Sequence, residues 1–401
     1  MASRLGWVDQ DDRQRQAMIS VVELFKDENT VDELGIGSIR DSVADALFPG
    51  TSVLLTRARY LLMIPWLLQQ VTSTSTDVRE AAARLRQLEG RLIHSLLRGG
   101  EQDGVIGRLA KDDLKRMPSV AYWNALGYFG IRRSDVSIEG LLRQDISSRL
   151  GHLHSAAPDD PGAERDRHVS SLHPDLPAPP EDLMVSSTLS LTADEADFLR
   201  ERMELSSAGT LFAWLLEQGV PSVQDYVWQH ETLDEFPAQA AEYVDAGRRF
   251  HTLVHGAALA YNSLLAQARD DDDLISQYDE RIDLWSLELE DEQPLSDGWT
   301  VDVLWSLMAR RGTPVRLGTQ SFVTSWVRAV TEHGARAATE PEVRSLIRQR
   351  ELSLKGGRAR VANRAALNAW TGGSGLVRLD YRWTVARRLM NDVLSPAEAV
   401  D

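Results

Sequence analysis

"DVREAAARLRQLEGRLIHSLLR", residues 77–98, sets Ala, Leu and Ile on one helical face and alternating Arg and Glu on the other. That spacing predicts an amphipathic helix whose apolar stripe needs a partner. The same period recurs along most of the chain. "DDRQRQAMISVVELFKDE" places Met18, Val21, Val22 and Phe25 at helical spacing, and "GIGSIRDSVADALFPG" does so with Ile39, Val43, Ala46 and Leu47. Further helices read from "SLTADEADFLRERM", where Thr192 and Glu195 have capping-box spacing, and from "TLFAWLLEQ", "PAQAAEYVDAGRRFHTLVHGAALAYNSLLAQARD", "DGWTVDVLWSLMARRG", "TQSFVTSWVRAVTEHG" and "EPEVRSLIRQREL". In "MPSVAYWNALGYFGIRR", Ser119 reads as the cap of a short aromatic helix carrying Tyr122, Trp123, Leu126 and Phe129. Period-two alternation is scarce, so the predicted fold class is mainly α, a multi-helix architecture in two parts.

At 401 residues the chain exceeds what one core usually serves. The expected boundary lies at 151–187, which holds six of the fifteen prolines and reads as a Pro/His-rich linker or surface loop. It would separate an N-terminal helical domain, 1–150, from a C-terminal helical domain, 188–401.

The apolar run Tyr60–Leu68 within "FPGTSVLLTRARYLLMIPWLL" is nine residues long, against about 20 for a membrane span, and Pro65 interrupts it. A buried core helix is the expectation. The N-terminal "MASRLGWVDQDDRQRQ" lacks the layout of a secretory signal, and the chain has no cysteine. A cytoplasmic location is expected, and disulfides, thiolate metal sites and a Cys nucleophile are excluded.

The net charge of -16 disfavours nucleic acid unless a basic patch stands apart from it. Residues 344–388 supply one, with eleven Lys and Arg against two acids, 11 - 2 = +9. Arg forks bind phosphate and aromatic rings stack on bases, so this segment, with Trp370, Tyr381 and Trp383 interleaved, is a candidate nucleic-acid contact. The candidate residues are Lys355, Arg358, Arg360, Arg364, Arg378, Tyr381, Arg382 and Arg387, with Arg57 and Arg59 outside the segment. The glycines of "KGGRAR" would let backbone amides approach a phosphate. The competing reading docks these arginines onto the acidic stretch 270–292.

Catalytic signals are weak. Asp103, Asp113 and Lys115 form a loose acid and D-x-K pattern of the kind that holds Mg²⁺ in nucleases. His251 and His255 share a helical face at i,i+4 as zinc ligands do, but Thr252 stands where a catalytic Glu would be. No P-loop, dinucleotide fingerprint or nucleophile elbow is present. No cofactor is expected.

The blocks "LGWVDQDDRQR", "DELGIGSIRDSVADALFPGTS", "TRARYLLMIPW", "PSVAYWNALGYFGI", "SLTADEADFLRERM", "HTLVHGAALAYN" and "RLDYRWTVARRLM" resemble, in that order, an uncharacterised bacterial family catalogued as a domain of unknown function. The resemblance covers nearly the whole chain and carries no assigned catalytic residues. It implies a setting among defence-island genes, beside helicases, methyltransferases and nucleases. The expectation is a non-catalytic accessory component of an anti-phage defence or DNA-processing system, binding DNA first and RNA second, in a protein complex with a helicase or nuclease. A metal-dependent nuclease and a protein-interaction scaffold without nucleic acid are the alternatives.

Overall fold

The computed structural model describes residues 32–155 and 170–397. The helix expected around Met18 to Phe25 lies outside them. Fourteen α-helices and no named strand occur among the described residues, so the chain is mainly α.

The first helix, α1, is Gly37–Leu47; the Asp32 carboxylate caps it by accepting from the amides of Ile36 at 2.7 Å and Gly37 at 2.6 Å. Helix α2, Tyr60–Thr74, runs through Pro65, and every residue from Tyr60 to Leu68 is buried. A helix buried all round is a core element, which is what its unbroken apolar run requires. Asp77 caps α3, Val78–Arg98, which buries Ala81, Leu85, Leu88, Leu92 and Leu96 as the helical period demands. Helices α4, Pro118–Tyr128, and α5, Ile138–Ser155, follow.

Ser119 is not the cap of α4. Met117 holds that position with Pro118 as the first helical residue, while the amide of Ser119 donates to the buried Glu89 carboxylate of α3 at 2.7 Å. A neighbouring helix therefore supplies the cap that a local side chain was expected to give.

The Thr192–Glu195 capping box is present at the start of α6, Ala193–Ser206, with both reciprocal bonds made. Next come α7, Leu211–Gln218, the long α8, Ala238–Arg269, and α9, Asp272–Glu292. Helices α10, Val301–Arg310, α11, Leu317–His333, α12, Pro341–Lys355, and the short α13, Arg364–Asn368, lead to α14, Trp383–Leu394. No described helix is long and apolar enough to cross a membrane.

Two compact units emerge, and each is discontinuous in sequence. One comprises residues up to Val43 together with Tyr243–Tyr381; the other comprises Ala44–Glu242 and Arg382 onward. Neither boundary falls at 151–187. The described residues 170–187 are tied into the second unit, with Ser171 bonded through its amide and hydroxyl to Asp145, the Pro177 carbonyl to Trp66 Nε1 at 2.7 Å, and the Leu183 carbonyl to Ser95.

The core of the first unit forms around α8. Trp285 and Trp326 stack at 6.0 Å, and their indole nitrogens donate to the α8 carbonyls of Thr252 at 2.9 Å and Leu253 at 2.8 Å. Those carbonyls are reachable because Gly256 leaves room; a Cβ there would lie 2.1 Å from Trp285 Cζ2. Gly256→Ala is therefore expected to destabilise the protein by about 1–3 kcal/mol through overpacking, measured by denaturant unfolding. Gly90→Ala, whose Cβ meets nothing within 4 Å, is expected to be neutral or stabilising.

Burial pushes the Glu89 carboxyl up to about 7 from 4.5, against the hydrogen bonds of Ser119. A folded-state pKa raised above the unfolded one gives a contribution complete below pH 4.5 and lost as pH rises through about 7. Thermal stability should therefore decline across that window, and Glu89→Gln, which still accepts from Ser119, should flatten the decline.

Candidate nucleic-acid interface

The amphipathic α14 positions a polar cleft of the second unit. Trp383, Ala386, Leu389, Met390 and Val393 face inward, which leaves Thr384, Arg387, Arg388 and Asn391 along another stripe at i, i+3, i+4 and i+7. That stripe lines a cleft of about 300 Å³ completed by Arg57, Asp103, Ser222, Val223 and Asp392. Three arginines against two aspartates leave it one positive charge in excess.

Each arginine is held differently. The Nε of Arg57 donates to both Asp392 oxygens, at 2.9 and 3.0 Å, and the Ala58 amide adds a third bond to that carboxylate at 2.7 Å. Burial opposes the charge of Arg57, but the hydrogen bond and attraction of Asp392 outweigh it and its pKa is raised. Its Nη1 and Nη2 make no hydrogen bond among the described residues, so the fork stays available while the stem is fixed. Gly104, at φ +80°, packs directly on that stem, where a Cβ would lie 2.5 Å from Arg57 Cγ. Arg387 Nη1 donates to the carbonyls of Val223 at 2.7 Å and of Gln224. Arg388 is the least constrained: its side chain is 36% exposed and stands 3.7 Å from Asp103, too far for a hydrogen bond.

The wall opposite α14 is equally fixed. Asn391 binds Ser222 on both sides, accepting from its amide at 3.0 Å and donating to its carbonyl at 2.7 Å. Trp383 Nε1 donates to the Gln224 carbonyl at 2.9 Å.

The sequence candidates are thus partly assembled. Arg57, Arg387 and Asp103 meet in this cleft. Arg59 does not join Arg57: it is buried, with Nη2 2.8 Å from Glu195 and Nη1 2.9 Å from the Thr188 carbonyl. Arg382 bonds to Asp45 and to the Thr51 carbonyl. Asp113 and Lys115 are exposed, around the 3-10 turn Lys111–Asp113, and do not line the cleft.

In the first unit, a carboxylate sits at the end of "KGGRAR". The Glu351 carboxylate, itself fully buried, accepts from the amides of Arg360 at 3.0 Å and Val361 at 3.1 Å, from Tyr261 at 2.7 Å, and from Lys355 at 3.2 Å. Glu33 pairs with both Lys355 and Arg360. A carboxylate from the chain itself therefore fills the position where a phosphate was expected. Arg378 pairs with Glu288 of the acidic α9, while Tyr381 is buried and donates to the Gly247 carbonyl at 2.8 Å. Trp370 and Trp383 are buried too. Arg364 is exposed and donates to the Ala268 carbonyl, and Arg358 is exposed with no bond among the described residues.

His251 is committed on both ring nitrogens, Nδ1 to the Leu379 carbonyl at 2.7 Å and Nε2 to Arg378 at 3.0 Å. Burial first, and Arg378 second, lower both His251 and His255 to about 4, so both are neutral near pH 7. Among the described residues no three His, Cys, Asp or Glu side chains converge as a metal-binding group.

Of the remaining cleft residues, Arg388 belongs to the basic segment without standing out in it, and Asn391 and Asp392 lie beyond that segment. The helical stripe in "RWTVARRLMNDVL" carries the signal for Arg388 and Asn391. Nothing local marks Ser222, 169 residues from its partner.

Fold and cleft together define an all-α protein with an arginine-lined surface cleft. The chain belongs to a family of unknown function, DUF6361, whose model matches residues 2–397. No curated protein and no solved structure matches it.

Removing the buried Glu351 carboxylate strands the amides of Arg360 and Val361 and takes one acceptor from Tyr261 and Lys355, which keep Glu33. Glu351→Ala is expected to cost about 3–5 kcal/mol in denaturant unfolding, the range for breaking a buried ion pair.

Proposed function

We propose that this protein is a non-catalytic accessory component of a bacterial anti-phage defence or DNA-processing system, and that it contacts nucleic acid at the arginine cleft. The observation that carries the reading is the Arg57, Arg387 and Arg388 trio, preorganised around a cleft with an unspent fork on Arg57. Guanidinium forks match phosphate oxygens, and an anchored stem loses little freedom on binding. The exposed Arg358 and Arg364 of the first unit are separate candidate phosphate contacts. In this reading the cellular setting is the one that the sequence resemblance implies, among defence-type genes, with catalysis supplied by a partner helicase or nuclease.

One observation favours the scaffold reading beside it. On α9, Leu284 and Leu287 are 65% and 62% exposed among acidic side chains, a face suited to a basic protein partner.

Labelled DNA and RNA with purified protein, followed by fluorescence anisotropy, test the proposal. Binding should weaken steeply with salt. Arg388→Glu should weaken it at least about tenfold and lower the salt slope by about 1 without unfolding the protein. Unchanged binding in that variant removes the cleft as the contact.

A further inference from the structure

Helix α9 carries apolar side chains on two opposite sides. Tyr278, Ile282 and Trp285 are buried, and Trp285 is fixed against α8 by its bond to the Thr252 carbonyl. At about 100° per residue, Leu284 and Leu287 lie roughly 160° around the helix from the mean direction of those three, so they are no fringe of the core. Both are exposed. Glu280 and Asp291, exposed as well, extend the same stripe, which runs at i, i+4, i+7 and i+11 along one helical face.

The two borders of this face differ in charge. Along one edge lie the exposed Asp283 and Glu290. Along the other, Arg281 stands over the Tyr278 ring at 5.3 Å and Glu288 is taken by Arg378 at 2.9 Å. Over its length α9 holds nine acids and one arginine, so the surplus is strongly negative.

We infer that this face of α9 docks a basic amphipathic helix of another protein, with an aliphatic stripe laid on Leu284 and Leu287 and lysines or arginines set against Asp283, Glu290 and Asp291. The inference rests on the scaffold reading of α9 and is independent of the arginine cleft. Helices that pair in this way share an apolar seam, while charges flanking the seam choose the partner. Here the leucine seam is a single turn long, so the acids carry the selectivity. A second α9 is disfavoured as occupant because its own acids would meet like charges. Phosphate-bearing surfaces, whether nucleic acid or an anionic membrane, meet the same repulsion. The opposite side of α9 is packed, so the docking face is formed before the partner arrives and loses little freedom on binding.

The test uses the full chain and three fluorescein-labelled synthetic peptides of 21 residues, the length of α9. The first is built of Leu, Lys and Ala with its leucines on one helical stripe, the second has the same composition with the leucines scattered, and the third replaces Lys by Glu. In fluorescence anisotropy at physiological salt the striped basic peptide should bind at least about tenfold more tightly than either control. Leu284→Gln with Leu287→Gln should erase that preference and leave the unfolding midpoint unchanged, since both side chains are exposed. Asp283→Asn with Glu290→Gln should weaken binding several-fold and flatten its salt dependence. Arg388→Glu should leave peptide binding unchanged, which separates this face from the cleft.

Equal binding of striped and scattered basic peptides, both weakened by Asp283→Asn with Glu290→Gln, overturns the helix inference and leaves the scaffold reading standing. Absence of binding by either basic peptide overturns both. Striped-peptide binding that survives the leucine substitutions, or a Glu peptide that binds as tightly, also overturns the inference. Sedimentation velocity supplies the last arm: self-association abolished by Leu284→Gln with Leu287→Gln assigns the face to a second copy of this chain and overturns it too.

Discussion

A guanidinium or carboxylate taken out of water costs several kcal/mol unless an opposite charge and well-placed hydrogen bonds go with it. This protein buries many of them, and the pairing rule decides where its chain segments lie. Glu33 and Glu351 collect Lys355, Arg360 and Tyr261 in the interior of the first unit. In the second unit, Glu195 completes the cap of its own helix and receives Arg59 as well, so one carboxylate joins the start of α6 to the lead-in of α2. Asp392 does the same for Arg57 and the Ala58 amide. These arginines are structural residues, cross-links between segments distant in sequence.

Two arginines that keep donors to spare among the described residues, Arg57 and Arg388, border the same cleft. The stripe on α14 that brings this about follows from the apolar stripe beside it, since burying Trp383, Ala386, Leu389 and Met390 leaves residues 384, 387, 388 and 391 together at the surface. Packing and the candidate site are set by one helical period.

The periodic elements were legible in the sequence because their information is local. The α3 stripe, the fully apolar start of α2 and the Thr192–Glu195 box all depend on residues within a few positions of one another. What escaped depended on distant partners. Ser119 looks like a cap until Glu89 arrives from another helix, and "KGGRAR" looks like a phosphate nest until Glu351 takes the amides of Arg360 and the following Val361. The basic count over 344–388 gave no means of separating Arg360, locked on Glu33, from Arg358, which makes no bond among the described residues. The aromatic residues of that segment misled for the same reason, since Tyr381 and Trp383 are core side chains whose polar tips reach carbonyls far along the chain.

Glu33 has a consequence for how the molecule is made. It completes a charge network with Lys355 and Arg360, more than three hundred positions later, and the residues between include almost the whole of the other unit. During synthesis the first unit therefore cannot close until the ribosome has passed Arg360, while the intervening stretch is already available to collapse. Loop-closure entropy of this kind slows folding and lengthens exposure of unpaired interior groups. A nascent chain holding Glu33 and its neighbours unsatisfied for that interval is a natural client for chaperones, and any fragment cut from this protein must respect the interrupted order of its units.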